Sequence, residues 1–283
     1  MQADLRYRNL DKRFWANVRT ISQTLGYTNR PTKQIKVYTI AEMAYAMTRV
    51  GLGVSHLIDQ SGAPTELGTM LQGYFAYRAE VLNGYVEPRL MDVEAAARLF
   101  RELQNQLHST RAVPLNKQKG DKKAPAYLTG MVNMLIEANA SGLPCDYDPR
   151  QLTMVTGDGA PLRTLARRID GCFPSCTNPV AVWEIKEYYY TTTFGSRVAD
   201  GVYETLLDGL ELEELREHEG IDIQHLLAVD SHYTWWVSGR SYLCRLIDML
   251  HMGYVDEILF GHEVVERLPS IVHGWVESAQ KRG

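Results

Sequence analysis

The sequence predicts an α/β (α+β-like) protein: a mixed central β-sheet flanked by helices, with a helical N-terminal domain ahead of it. Three observations predict this. Residues 1 to about 110 repeat apolar side chains at helical spacing. A polar, basic stretch, 109–124, then interrupts the pattern. Beyond it, short apolar runs follow one another as a meander and then alternate with helical segments, the order expected of a mixed sheet.

The elements follow in chain order. Thr39 caps a helix whose apolar positions include Ile40, Met43, Ala44 and Met47. Leu67 to Leu82 and Asp92 to Leu107 have similar periodicity. The segment Thr39 to Gln60 is faintly like a helix-turn-helix, although its turn exceeds the usual 3–4 residues and a plain packing module competes with it. After the loop, Tyr127 to Ala140 is a helix ended by Ser141-Gly142-Leu143-Pro144. Three runs come next: Gln151 to Thr156, Arg167 to Phe173, and Ala181 to Tyr190, with Gly157-Asp158-Gly159 as a hairpin turn after the first. Ser196 to Glu217 is a long helix with Val198, Val202, Leu206 and Leu210 on one face, ended by Gly220. His225 to Asp230 and Glu257 to Phe260 are strands, separated by a helix from Ser238 to His251. Residues 1–115 are read as one domain and 116–283 as the second.

Composition excludes several classes. With 283 residues, 45% hydrophobic and 23% charged, the chain can bury a core of useful size. A net charge of −4 counts against indiscriminate coating of nucleic acid, though not against a local basic cleft. Four cysteines in a chain of this length read as reduced thiols of a cytoplasmic protein. The first residues lack an apolar secretory core, and no run approaches a membrane span. Cys172 and Cys176 lack the second ligand pair of a zinc site, His262-Glu263 is not followed by HExxH spacing, and Gly51-Leu52-Gly53 fails the dinucleotide pattern.

The chemistry concentrates in the run AVWEIKEYYY. Alternation puts Glu184 and Lys186 on one face of that strand, with Trp183 and Ile185 on the other. A carboxylate and an ammonium on an interior strand are costly unless they are used. Asp170, in the preceding run, supplies a second acid, which lies close to Glu184 if the two runs pair as neighbours. Two carboxylates repel, and a hard divalent cation relieves that repulsion. Asp170, thirteen residues, then Glu184-Ile185-Lys186 resembles the PD-(D/E)xK nuclease superfamily, the fold of most type II restriction endonucleases. The resemblance extends to the αβββαβ element order from Tyr127 to Phe260 and departs from the family where Ile169 replaces its proline.

That resemblance implies a Mg²⁺-dependent, site-specific endonuclease of double-stranded DNA, with Mn²⁺ able to substitute, acting as a homodimer. It implies that Asp170, Glu184 and the Ile185 carbonyl hold the metal, that Lys186 serves the attacking water, and that Glu137 is an additional acid. Arg163, Arg167, Arg168, Tyr188, Thr191, Thr193 and Arg197 are candidate DNA contacts, as are Lys117, Lys119, Lys122 and Lys123. The N-terminal domain is the candidate for sequence recognition. Two other readings stand beside this one: a structure-selective repair or junction-resolving nuclease of the same fold, and a non-catalytic two-domain binding protein in which Glu184 and Lys186 are an ion pair.

Overall fold

Helix starts are encoded locally. Asp11 accepts a hydrogen bond from Arg13 N and opens α1 (Lys12–Leu25). Thr39 and Glu42 form a reciprocal capping box at α2 (Ile40–Arg49). Thr65 caps α3 (Glu66–Val81) and Asp92 caps α4 (Val93–Gln106). The computed structural model describes residues 1–8, 10–29, 31–117, 123–191 and 195–282, the side chain of Arg197 excepted.

The second helix of the helix-turn-helix reading does not form. Asp59 accepts from Ser61 N, Ser61 Oγ and Ala63 N, and Ile58 bridges Pro64, so side-chain-to-backbone bonds turn the chain instead.

After α5 (Tyr127–Asn139) come β1 (Asp146–Tyr147), β2 (Met154–Gly157), β3 (Ala160–Thr164), β4 (Gly171–Phe173) and β5 (Ala181–Glu187). Then follow α6 (Ser196–Glu219), β6 (Gln224–Asp230), α7 (Arg240–Met252), β7 (Glu257–Phe260) and α8 (Glu263–Arg282). The main sheet has the order β1-β4-β5-β6-β7, antiparallel up to β5 and parallel from β5 to β7.

The expected meander is corrected at its first strand. The run beginning at Gln151 gives β2, which leaves the main sheet to pair with β3 through the Asp158-Gly159 turn, both residues at positive φ. The two-residue β1 takes its place; it is too short to show a period. The expected helix from Ser238 is preceded by a π-helical turn, His232–Ser238.

The sheet lies between two layers. Trp183, Ala181 and Leu226 face α4, α5 and α8, and Trp183 stacks on Trp275 at 5.6 Å. Gly171 makes this possible, because a Cβ there would sit 2.0 Å from the Trp183 ring. On the other face, Leu227 and Val229 meet Val198 and Val202 of α6 and the apolar side of α7. The N-terminal helices share this second core through Ala79 and Leu82. Arg78 and Asp248 lock the two parts with a buried ion pair in which Arg78 Nη1 donates to both carboxylate oxygens, at 2.9 and 3.0 Å, and Tyr74 Oη donates to the same carboxylate at 2.6 Å.

Candidate active site

The β4–β5 hairpin joins the two acids predicted to meet. Asp170 N donates to Glu184 Oε1 at 3.1 Å. Asp170 Oδ2 accepts from Ile185 N at 2.9 Å, so a carboxylate stands where β4 would otherwise continue the ladder. Glu184 and Lys186 project together toward α6, as period two requires. Lys186 Nζ lies 2.7 Å from Glu184 Oε2 and 2.9 Å from Glu204 Oε2. Gly201 leaves the room: a Cβ there would lie 2.7 Å from Tyr188 Oη and 3.3 Å from Lys186 Cδ.

Arg167 closes the other side of Glu184. Its Nη1 is 3.0 Å from Glu184 Oε1 and 2.6 Å from Asp208 Oδ2, and its Nη2 is 3.4 Å from Glu204 Oε2. Glu184 is only 1% exposed. Among the described residues four acids, Asp170, Glu184, Glu204 and Asp208, thus face three cations, Lys117, Arg167 and Lys186. The surplus negative charge is expressed at Asp208. Burial, then the charge of Glu184, pushes its carboxyl up to about 7, and its Oδ1 has no hydrogen-bond partner among the described residues. Burial works against the charge on Lys186, but Glu184 and Asp170 outweigh it and raise the pKa, so this lysine is a fixed ammonium. At Asp170, burial opposes ionisation, and Lys117 and Lys186 overcome it and hold the carboxyl below its usual range.

A cavity of about 980 Å³ opens beside this network, at the carboxyl end of β5 and between the starts of α5 and α6. Asp170, Ile185, Glu187, Tyr188, Asp148 and Lys117 are among its walls. Lys117 Nζ bridges Asp148 Oδ1 at 3.0 Å and Asp170 Oδ1 at 2.8 Å. Glu187 faces away from Glu184, as alternation predicts, and caps α5 by accepting from Leu128 N, Thr129 N and Thr129 Oγ1. Burial raises its carboxyl to about 7.

The predicted residues are distributed unevenly. Asp170 and Ile185 line the cavity, whereas Glu184 and Lys186 stand behind them, covered by Arg167 and α6. Tyr188 and Thr191 are on the cavity wall. Arg167 is absorbed by carboxylates, and Arg163 pairs with Glu214 on α6 at 2.9 Å; Arg168 is exposed. Glu137 is not brought to the acid pair. Arg111, stacked over the Tyr147 ring, holds it at 2.5 Å, and α5 offers Thr129 and Asn133 to the cavity instead. Thr193, Lys119, Lys122 and the side chain of Arg197 lie outside the described residues.

Sequence reasoning missed Glu204, Asp208 and Asp148. The first two had a signal, since a spacing of four on a helix puts both on the face that meets β5. Asp148 had none, because it follows a strand of two residues.

Among the described residues no group of three or more His, Cys, Asp or Glu side chains is arranged to hold a metal ion. The donors at Asp170 do suit a hard cation that keeps several waters: they are oxygens only, and the Lys117 ammonium already occupies a cation's position on Oδ1. The four cysteines are free thiols. Among the described residues no helix is long and apolar enough to cross a membrane.

Two family models match the chain. Residues 91–275, more than half of it, match the family described as "Domain of unknown function (DUF7687)", and residues 1–85 match "Domain of unknown function (DUF7690)". No curated protein and no solved structure matches.

Proposed function

The chain belongs to the DUF7687 family, and for it we propose a Mg²⁺-dependent DNA endonuclease of the restriction-enzyme type. One observation carries the reading. Asp170, Glu184 and Lys186 form a single hydrogen-bonded group at the antiparallel hairpin that precedes a parallel strand. The order α5-β1-β4-β5-α6-β6 supports it, because it corresponds to the αβββαβ core of the family that the sequence resembles.

Asp170, Glu184 and the Ile185 carbonyl would hold the metal. When bound, Mg²⁺ supplies charge neutralisation at the attacked phosphate and a more acidic nucleophilic water. The remaining work belongs to the chain. Ile185 N fixes the rotamer of Asp170 and leaves Oδ1 turned to the cavity. Lys186 keeps its proton on Nζ, so it acts as an electrostatic group toward the water and the phosphate oxygen rather than as a base. Glu204 pins that ammonium. Arg167 must give up an oxygen of Glu184 for the acid to serve as a ligand. A homodimer cutting both strands, with sequence recognition from the N-terminal helices, completes the reading.

A second reading has its own observation. Both oxygens of Glu184 are already satisfied by Arg167, Lys186 and Asp170 N, which suits a non-catalytic binding protein with a structural ion network.

A cleavage assay on long duplex DNA decides between them, with branched DNA as a parallel substrate, in Mg²⁺ and in EDTA, beside Lys186→Ala. Discrete Mg²⁺-dependent fragments that vanish in the variant support the endonuclease, and cleavage confined to branched DNA supports a structure-selective enzyme. Full activity in Glu184→Ala overturns both.

A further inference from the structure

Lys117 comes from the polar stretch that the sequence marks as a loop, yet its backbone is anchored. Leu115 bridges Pro125, Asn116 N donates to Ala124 O at 2.9 Å, and Ala126 N donates to Pro114 O at 2.8 Å. The anchoring aims the ammonium at the one oxygen of Asp170 that Ile185 N does not hold. There it spans Asp170 Oδ1 and Asp148 Oδ1 on the cavity wall. Its place differs from that of Lys186, which stands behind the acid pair. The Lys117 side chain is 70% exposed, so it can leave Asp170 without opening the core.

We propose that Lys117 is an internal counter-ion of Asp170 and a phosphate-positioning residue of the nuclease. Its ammonium holds the cation position at Oδ1 until a divalent cation enters, and it then contacts a substrate phosphate across the cavity. A lysine suits this exchange because it is a point charge on a flexible stem. Two carboxylates that share one ammonium are left under-neutralised, which favours the replacement of +1 by +2. The phosphate contact rests on the endonuclease reading, whereas the counter-ion role does not.

The test uses the full chain with Lys117→Met and Lys117→Arg. Mn²⁺ binding is followed by the electron paramagnetic resonance of the free ion, which needs no activity. Lys117→Met is expected to bind Mn²⁺ about tenfold more tightly, and Lys117→Arg to stay near wild type. Duplex oligonucleotide binding is then measured in Ca²⁺ across a salt series. Lys117→Met is expected to bind more weakly, with its salt slope reduced by about one, and Lys117→Arg to retain both. Unchanged Mn²⁺ affinity in Lys117→Met, or no Mn²⁺ binding by either protein, overturns the counter-ion role and leaves a surface ion pair only. Unchanged duplex affinity and salt slope overturn the phosphate role. A wild-type protein that cuts no DNA while Lys117→Met still tightens Mn²⁺ binding overturns the endonuclease reading and upholds the counter-ion.

Discussion

Removing the guanidinium of Arg167 tests the charge arrangement at the site most directly. Arg167→Met keeps the length and the apolar stem but leaves Asp208 and Glu184, 0% and 1% exposed, without their shared cation. Breaking a buried pair by deleting one partner costs about 3–5 kcal/mol. Arg167 itself is 23% exposed and Lys186 still covers Glu184, so the loss at pH 8 should be about 2–3 kcal/mol. At about 2–4 °C per kcal/mol for chains of this size, Tm falls by roughly 4–12 °C. The pH dependence has a definite sign. Asp208 already titrates at about 7 in the folded protein, pushed up by burial and by Glu184, and losing Arg167 raises it further. The folded variant therefore binds more protons than the unfolded chain from about pH 4 to above pH 7, and its stability goes on falling past pH 7, where the Asp208 contribution in wild type levels off. Thermal melts followed by circular dichroism in EDTA, at pH 5.5 and pH 8, read the effect. The variant should be closer to wild type at pH 5.5, and Mg²⁺ should restore more stability to it than to wild type, because binding to the folded state alone stabilises. An unchanged Tm at pH 8 would refute the claim that Arg167 neutralises these acids.

Lys186→Ala and Glu184→Ala should each lower cleavage by about 10²–10⁴-fold with an unchanged circular dichroism spectrum; normal rates would remove this strand from the mechanism. Asp230, fully buried between Met91 N, Ser231 N and Tyr189 Oη, is raised to about 7 by burial. It therefore makes wild-type stability fall between about pH 4 and 7, by up to about 4 kcal/mol. Asp230→Asn should flatten that slope in urea titrations, and an identical slope would discount the group. Arg78→Met should cost about 3–5 kcal/mol, because it strands Asp248 between the N-terminal helices and α7; a wild-type urea midpoint would show that the pair contributes nothing to docking.

Much of this protein is set by short-range chemistry and is legible without coordinates. The capping box of Thr39 and Glu42 and the left-handed Gly220 that ends α6 follow from neighbouring residues alone. So does the alternation that separates Glu184 and Lys186 from Trp183 and Glu187, because a strand has period two. The meeting of Asp170 and Glu184 was legible too, since a short hairpin leaves few registers. What tertiary structure alone decided was partner choice across long sequence distances. It sent β2 to β3 and gave its place to a two-residue strand. It drew Glu137 to Arg111 and Arg167 into three carboxylates, and it carried Lys117 across 53 residues to Asp170. A charged side chain carries no pattern that names its partner. Burial fixes that pairing, since only the packed chain shows which charges lose their water together and must find one another.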